Sequence, residues 1–393
     1  MKIGMYTGSI PPPVFILNLV NGLADKGDKV FIYGKVIERN YKLPNSSIIQ
    51  KKFPSSKIGV IMYSIYIFVR LFIKRPRTFI TMVKMISQNS KSWIKFLYRS
   101  CRVLPPFLDD LDIFHIQWAK TLVEYPEFIA QLQCPVVLSL RGAHINYSPL
   151  ADKTLAEQYK KYFPMVTAFH AVSDAIARES EKYAAEPDKI TIIHPAVKQK
   201  LLNDILKTND HGELLKIISV GRCHWKKGYT FALDAMVLLK KNNVQFHYTI
   251  IASGRDRENI LYQIHDQNLK DCVSFINGLP HEDVIKKVTE SDLFLLSSLE
   301  EGISNAVLEA MALGIPVIST DCGGMGEVII NKKNGFLVSL WDSGSMVDAI
   351  INFIQLDDSN KKSIIYDAKE TIRQKYLLSH QIDQFQSLYN SIL

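Results

Sequence analysis

The second half of the chain alternates short apolar strands with segments of helical spacing. Its predicted strands cover residues 216–221, 246–254, 273–275, 293–296 and 316–320. Between them, residues 229–240 and 258–268 place apolar side chains at helical intervals. This alternation is typical of an α/β domain with a doubly wound parallel sheet, which binds its ligands beyond the carboxyl ends of the strands.

A similar but less regular pattern occupies the first half. We predict strands over residues 2–6, 29–33, 113–117, 136–140, 168–172 and 190–195. The polar run 198–213 is the predicted linker. The chain therefore divides into a first Rossmann-like domain over 1–198, a second over 199–366, and a C-terminal helix over 367–393 that we expect to pack back on the first domain.

The composition is that of an ordinary globular protein. With 393 residues, 47% of them hydrophobic and 22% charged, the chain is long enough for two domains. Its five cysteines are scattered, which predicts neither a disulfide framework nor a structural zinc site. The amino terminus is typical of a first strand rather than a signal peptide, so we expect a cytoplasmic protein.

Positive charge is concentrated in one segment. Fourteen Lys and Arg residues lie between Arg39 and Arg102, and no acidic residue lies between Glu38 and Asp109, although the whole chain carries only +8. The apolar run 58–73 is short for a membrane span and is interrupted by Arg70. Residues 77–102 predict one amphipathic helix with a cationic stripe formed by Arg77, Lys84, Lys91, Lys95, Arg99 and Arg102. We expect the stripe to contact an anionic membrane surface; the alternative is a solvated helix face, and no motif indicates nucleic acid.

Two carboxylates eight residues apart carry the clearest chemical signal. Glu301 lies in a loop after a strand, and Glu309 lies in a mostly apolar helix predicted to begin near Ser304 and to end at Gly314. A carboxylate in an apolar setting is costly unless something binds it, and a helix N-terminus favours phosphate. Together they indicate a ligand with hydroxyls and phosphate, such as a sugar nucleotide. Glu300 is an equal candidate to Glu301 by chemistry alone.

Three motifs in this half resemble those of family 4 glycosyltransferases. They are Gly221-Arg222-Cys223-His224-Trp225-Lys226-Lys227-Gly228, the Glu301 to Glu309 spacing, and the loop from Thr320 to Glu327. The resemblance implies a GT-B fold, in which two Rossmann-like domains face a cleft, and a retaining sugar transfer of the exopolysaccharide or lipopolysaccharide type. It also implies that Glu309 binds the ribose of the donor and that Glu301 lies against the donor sugar.

Cations and backbone groups fit that donor. Arg222 and Lys227 can neutralise a diphosphate leaving group, so no metal or other cofactor is expected. Further expected contacts to the donor are the loop and helix-start residues Gly302, Ile303, Ser304 and Asn305, the glycines Gly254, Gly323 and Gly324, and Gly8 and Ser9 in the first loop. Each of these glycines could instead serve only a tight turn.

The first half departs from the family pattern. A histidine usually follows the fourth strand, but here Arg141 takes its place and His144 follows three residues later. Arginine cannot act as a base near neutral pH, although it can bind a phosphate or a sugar oxygen. We expect one or both of these residues to serve the reaction. The Asp110-Leu111-Asp112 run is not expected to bind a metal.

The function expected from the sequence is a glycosyltransferase bound peripherally to the inner face of the plasma membrane. It moves a sugar from a nucleotide sugar to a lipid-linked or oligosaccharide acceptor in cell-surface polysaccharide synthesis. One alternative is a sugar-nucleotide epimerase of the same fold, which needs no membrane surface. The other is a non-catalytic, membrane-docked relative, which the missing histidine favours and the intact phosphate motifs oppose.

Overall fold

The structure, a computed structural model, describes residues 1–38, 45–202 and 214–393. It contains two compact units, one formed by Met1–Ile193 with Gln381–Leu393 and the other by His194–His380. Most of the predicted linker 198–213 lies outside the described residues, as do Arg39 and Lys42 of the basic segment.

The first unit is built on a parallel sheet. Within the described ranges it has seven strands in the order β3-β2-β1-β4-β5-β6-β7. They are β1 (Lys2–Ile10), β2 (Lys29–Val36), β3 (Ile48–Phe53), β4 (Ile113–Ile116), β5 (Val136–Leu140), β6 (Ala168–Ala171) and β7 (Ile190–Ile192). All except β3 were predicted; β3 has the polar residues Gln50, Lys51 and Lys52 at its centre, which conceal its apolar ends.

Helices connect these strands. They are α1 (Val14–Asp25), α2 (Lys57–Lys74), α3 (Pro76–Gln88), α4 (Trp93–Val103), α5 (Ala119–Glu124), α6 (Glu127–Gln131), α7 (Ala143–Asn146), α8 (Ser148–Ala151), α9 (Lys153–Tyr162) and α10 (Asp174–Glu181). No helix in the described part of the chain is both long enough and apolar enough to cross a bilayer.

The prediction that Gly8 and Ser9 lie in a loop is wrong. Strand β1 continues to Ile10, with a register shift between Tyr6 and Gly8, and pairs Gly8 with Gly34 and Ser9 with Lys35 of β2. The turn comes later, at the prolines. The backbones of Gly8 and Ser9 therefore belong to the sheet, which limits the number of N–H groups that they can donate to a ligand.

The single basic helix over 77–102 is also a wrong prediction. Helix α3 ends at Gln88 and α4 begins at Trp93 after its cap Ser92, whose hydroxyl accepts from the backbone N–H of Lys95 at 3.5 Å. Asn and Ser favour turns and caps over helix interiors, so the run 89–92 breaks the helix although the apolar period continues through it. The predicted cationic stripe is consequently divided between two helices.

Two members of that stripe contact other side chains of the same unit. Arg99 makes a two-point contact with the fully buried carboxylate of Glu127, Nε to Oε1 at 2.8 Å and Nη2 to Oε2 at 2.9 Å. Arg102 donates to the hydroxyl of Tyr125 at 2.9 Å. Arg99 therefore holds α4 to the core, whereas the Arg102 side chain is 41% exposed. Arg77, Lys84, Lys91 and Lys95 are exposed as well, and the membrane contact of the stripe stays a prediction.

The second unit repeats the architecture. Its described strands form a six-stranded parallel sheet in the order β10-β9-β8-β11-β12-β13. They are β8 (Leu215–Arg222), β9 (Phe246–Ser253), β10 (Val273–Ile276), β11 (Leu293–Leu296), β12 (Val317–Thr320) and β13 (Phe336–Val338). The first five were predicted, and β13, only three residues long, was not. The connecting and flanking helices are α11 (Tyr229–Lys241), α12 (Arg257–Asp266), α13 (His281–Thr289), α14 (Asn305–Ala312), α15 (Met325–Val328), α16 (Ser343–Gln355) and α17 (Asp358–Lys375).

The C-terminal segment is not the one helix predicted over 367–393. Helix α17 ends at Lys375 and α18 (Leu378–Ser391) follows. The break coincides with Val197 and Leu377, which pair in an isolated bridge. From Gln381 onward the chain belongs to the first unit, where Asp383 pairs with Lys26 at 2.7 Å and the Tyr389 hydroxyl bonds His115 Nδ1 at 2.7 Å.

Candidate functional site

The motif residues of the second unit gather at the carboxyl ends of its strands. Arg222 ends β8, Gly254 follows β9, Glu301 follows β11, and Gly323 and Gly324 follow β12. In a doubly wound sheet this is the edge where ligands bind. Gly8, Ser9, Arg141 and His144 belong to the other unit.

Glu301 is the centre of a charged cluster. Its carboxylate forms an ion pair with the ammonium of Lys227 through Oε1, and Oε2 lies 3.5 Å from the ammonium of Lys226. The hydroxyl of Ser298 donates to Oε1 at 3.1 Å. Both lysines and Glu301 are nearly buried, so these charges act in a medium that screens them little.

Burial and pairing oppose each other at these groups. Burial raises the pKa of Glu301. Lys227 and then Lys226 lower this pKa by more than burial raises it, so the net pKa lies below its ordinary value. Burial lowers the pKa of Lys226 although Glu301 opposes that change. Arg222, at the exposed end of β8, also acts electrostatically on Lys226, so three cations lie in this region, and their positive charge suits an anionic ligand.

Close packing of glycine holds the Glu301 loop in place. Gly323 has a φ of +53°, and a Cβ at this position would overlap the backbone oxygen of Glu301. The N–H of Gly324 donates to the carbonyl of Gly302 at 2.8 Å. A Cβ at Gly228, which has a φ of +59°, would likewise overlap the backbone oxygen of Ser297. Only glycine fits either place, so the three motifs interlock through their backbones.

Helix α14 carries the second carboxylate as predicted. It begins at Asn305 after Ser304, and Gly314 follows its end with a φ of +75°. The Asn305 Oδ1 is buried and has no hydrogen-bond partner among the described residues. Glu309 accepts from Nε2 of His281 at 2.8 Å, and this hydrogen bond is the first cause of a raised pKa at His281.

Three residues of this site were missed by the sequence reasoning. Lys226 was passed over in favour of its neighbour Lys227, and Ser298 in favour of the acids that follow it. His281 starts α13 just beyond β10, so its place at a strand's carboxyl end was the available signal. No group of three His, Cys, Asp or Glu side chains able to hold a metal ion occurs within residues 1–38, 45–202 and 214–393. Asp110 instead pairs with Lys74 and Arg75, each at 2.9 Å.

Arg141 and His144 follow β5 in the first unit. The guanidinium of Arg141 stacks over the ring of Phe15, 4.9 Å from its centroid, and donates through Nη2 to Gln117 at 3.1 Å. The His144 ring packs against that of Trp118 at 5.5 Å. Burial lowers the pKa of Arg141 to about 10.

A buried series of hydrogen-bonded side chains lies next to Arg141. Ser139 bonds His115 Nε2 and His170 Nδ1, both at 2.8 Å, and His170 Nε2 bonds the carbonyl of Ile193 at 2.9 Å. Burial, with the nearby charge of Arg141, lowers the pKa of His115 to about 3. His115 is therefore neutral at physiological pH and serves the structure.

Two family models match the chain in succession. The model described as Glycosyltransferase Family 4 matches residues 13–200, and that described as Glycosyl transferases group 1 matches residues 203–371. Together they account for nearly all of the chain, and each falls largely within one structural unit.

Curated relatives and solved structures agree with those models. The amylovoran biosynthesis glycosyltransferase AmsK of Erwinia amylovora is 29% identical over 64% of this chain and 62% of its own length. WcaL of Escherichia coli, assigned to colanic acid biosynthesis as a glycosyltransferase, is 26% identical over 96% of both chains. The structure of Anabaena HepE with UDP-glucose covers all of both chains with a TM-score of 0.70 at 15% identity, which supports the fold alone.

Proposed function

We propose that this chain, a family 4 glycosyltransferase with the GT-B fold, moves a sugar from a nucleotide sugar to a lipid-linked saccharide in the synthesis of a cell-surface polysaccharide. The observation that carries the proposal is the cluster of Lys226, Lys227 and Glu301 at the carboxyl ends of the strands. The family resemblance implies retention of the anomeric configuration.

The cations of the cluster suit the leaving group. When the bond between the anomeric carbon and the phosphate oxygen breaks, the diphosphate keeps the bonding electrons and its charge grows. Arg222 and Lys227 are suited to bind it, and they supply the charge that a metal would otherwise supply. A diphosphate on Lys227 competes with Glu301 for the same ammonium, which leaves the Glu301 carboxylate available to the hydroxyls of the donor sugar.

Helix α14 suits the rest of the donor. Glu309 offers a carboxylate to the ribose hydroxyls, displacing His281 from it. Ser304 and Asn305 stand at the helix start, where backbone N–H groups favour phosphate. The buried Asn305 Oδ1, which has no partner in residues 1–38, 45–202 and 214–393, can accept from a sugar hydroxyl. The relatives AmsK and WcaL, named for amylovoran and colanic acid synthesis, support a polysaccharide product.

We also propose peripheral attachment to an anionic membrane on the cytoplasmic side, through α2 rather than through one basic stripe. This helix buries Val60, Ser64, Ile67 and Leu71. Its other face leaves seven large apolar side chains at least half exposed: Ile58, Met62, Ile65, Tyr66, Val69, Phe72 and Ile73. The exposed Arg70 on α2 and the exposed Arg77, Lys84, Lys91 and Lys95 on α3, α4 and the turn between them add positive charge to the same helical region. An apolar face with surrounding cations is typical of helices that lie in a lipid interface.

Donor turnover tests the reaction. We expect Lys227→Ala and Glu301→Ala to lower transfer to a lipid-linked acceptor at least about a hundredfold, since each removes a group aimed at the leaving group or the donor sugar. Lys287→Ala and Glu290→Ala are the matched controls, because these residues form an exposed ion pair at 3.1 Å at the C-terminal end of α13 in the same unit. Full transfer by either site variant would show that the site is misassigned. A change of donor stereochemistry without transfer would indicate an epimerase. If no nucleotide sugar were turned over, the protein would be a non-catalytic relative.

Vesicle sedimentation tests the attachment. Val69→Asp places a charge in the exposed apolar face of α2 and should reduce binding to phosphatidylglycerol vesicles roughly tenfold, because the carboxylate must enter the lipid interface. Tyr366→Asp, at a similarly exposed aromatic position on α17, is the control. Equal binding of both variants, or equal binding of the native protein to neutral phosphatidylcholine, contradicts the attachment.

A further inference from the structure

A charged side chain of the first unit has no counter-ion within the part of the chain that the structure describes. Arg141 forms no ion pair with any carboxylate among the described residues; it contacts the neutral Gln117 and Ser139, at 3.1 and 3.4 Å from Nη2, and the face of Phe15. The Nε atom is buried with no hydrogen-bond partner in the same ranges. A guanidinium held in this way is costly, because it has left water without gaining an anion.

The surroundings favour an anionic ligand over a purely structural role. Arg141 is only partly buried, so a ligand can reach it. The hydrogen bond to Gln117 and the stacking on Phe15 fix the orientation of the guanidinium plane. They therefore also fix the direction in which its remaining N–H groups donate. A planar guanidinium with free donors matches the two oxygens of a carboxylate.

We propose that Arg141 binds the carboxylate of an acidic sugar, so that the enzyme takes a uronic acid as part of its donor or its acceptor. This inference rests on the proposed function and narrows its substrate class. Both sources present the same chemistry to Arg141, a carboxylate on a pyranose ring beside the aromatic side chains of Phe15 and Trp118, whose ring centroids lie 6.1 Å apart.

Matched ligand pairs test the proposal on the full chain. Methyl glucuronide against methyl glucoside represents the acceptor, and UDP-glucuronate against UDP-glucose represents the donor. In at least one pair we expect the native protein to bind the acid at least about tenfold more tightly, as a charge-assisted hydrogen bond predicts. We expect Arg141→Gln to abolish that preference. Arg141→Lys keeps the charge but cannot donate two parallel hydrogen bonds to one carboxylate, so we expect it to retain part of the preference.

Arg178→Gln is the matched control, since Arg178 is an exposed arginine of the same unit paired with Asp174 on α10. A preference lost only in the methyl glycoside pair identifies the acceptor as the acid, and one lost only in the UDP-sugar pair identifies the donor. No preference for the acid in the native protein, or a preference that survives Arg141→Gln, overturns the proposal. So does weaker binding of UDP itself by Arg141→Gln, which would make Arg141 a phosphate ligand.

Affinity for UDP in Lys227→Ala reports on the proposed function separately. If none of UDP, GDP, ADP and dTDP binds even the native protein, the donor assignment is at fault. If UDP binds and the preference for the acid is absent, the proposed role of Arg141 is wrong and the proposed function is unaffected. Circular dichroism of Arg141→Gln and Arg141→Lys ensures that a lost preference is not a lost fold.

Discussion

The two units each hold a charged side chain that is at least partly shielded from solvent, and they hold it in opposite ways. Glu301 in the second unit lies against two lysines, a serine hydroxyl and a glycine loop. Arg141 in the first has only neutral partners among the described residues. A charge that the protein itself compensates stabilises the fold until a ligand displaces its partner, whereas a charge left uncompensated costs stability as long as no ligand is bound.

The largest effect is expected from neutralising Glu301. Glu301→Gln leaves the nearly buried Lys226 and Lys227 without a counter-ion, so the free energy of unfolding should fall by about 3 kcal/mol at pH 7. Urea unfolding of both proteins measures it. A loss below about 1 kcal/mol would mean that Glu301 is no better compensated than Arg141.

The pH dependence of that loss has a definite sign. The pKa of Glu301 is lowered in the folded state, so its contribution is complete above the ordinary carboxyl value of about 4.5 and disappears as pH falls through the lowered pKa. The stability difference between the native protein and Glu301→Gln should therefore be constant from pH 8 to about pH 5 and shrink below that range. A difference that grows on acidification would contradict the lowered pKa.

Gly323→Ala sharpens the comparison without changing any charge. The new Cβ overlaps the backbone oxygen of Glu301, and the residue keeps a left-handed φ, so we expect a loss of about 2 kcal/mol and a weaker affinity for UDP. Gly27→Ala is the control, since it has a φ of +93° but no neighbour within 4 Å of its Cβ. Equal losses in both variants would show that backbone strain, not the Glu301 loop, sets the cost.

Arg141→Gln should change stability little, in contrast to Glu301→Gln. Because it removes a charge that lacks a carboxylate partner, the free energy of unfolding should stay within about 1 kcal/mol of the native value or rise. Thermal unfolding in the absence of sugars measures it. A loss as large as that of Glu301→Gln would show that neutral partners compensate the guanidinium and would remove the contrast between the units.

The smallest effect is expected at the half-exposed His281–Glu309 pair. The hydrogen bond to Glu309 raises the pKa of His281, so its stabilising contribution is complete below about pH 6.5 and is lost as pH rises through the raised value. Since His281 is 45% exposed, solvent screening limits the contribution to less than about 0.5 kcal/mol. His281→Gln should therefore lower the unfolding temperature slightly at pH 6 and not at pH 9, and a larger deficit at pH 9 would contradict the sign.

Local signals explain what could be predicted from the sequence. In the second unit the strands, the start of α14 after Ser304 and the end before Gly314 all depend on residues within a few positions of each other. The predicted family and its GT-B fold are confirmed by the two family models and the structural match. The motif spacing placed Arg222, Lys227 and Glu301 at one edge of the sheet because strand ends in a parallel sheet share that edge.

Partners distant in sequence explain the rest. The exposure of Arg99 could not be judged from helical spacing because its partner, Glu127, lies on another helix. Lys226 was not singled out beside Lys227, and only the fold shows that both contact Glu301. The break between α3 and α4 had a local signal, the Asn and Ser run before Trp93, but the apolar period outweighed it.

Helix α18 has a consequence for biosynthesis. Residues from Gln381 onward complete the first unit, where Phe385 packs on His170 with ring centroids 4.7 Å apart and Tyr389 bonds His115. On the ribosome, residues 1–193 emerge well before these partners have been translated. The first unit to be synthesised is thus the last to close its core, and until then His115 Nδ1 has water in place of the Tyr389 hydroxyl as its hydrogen-bond partner.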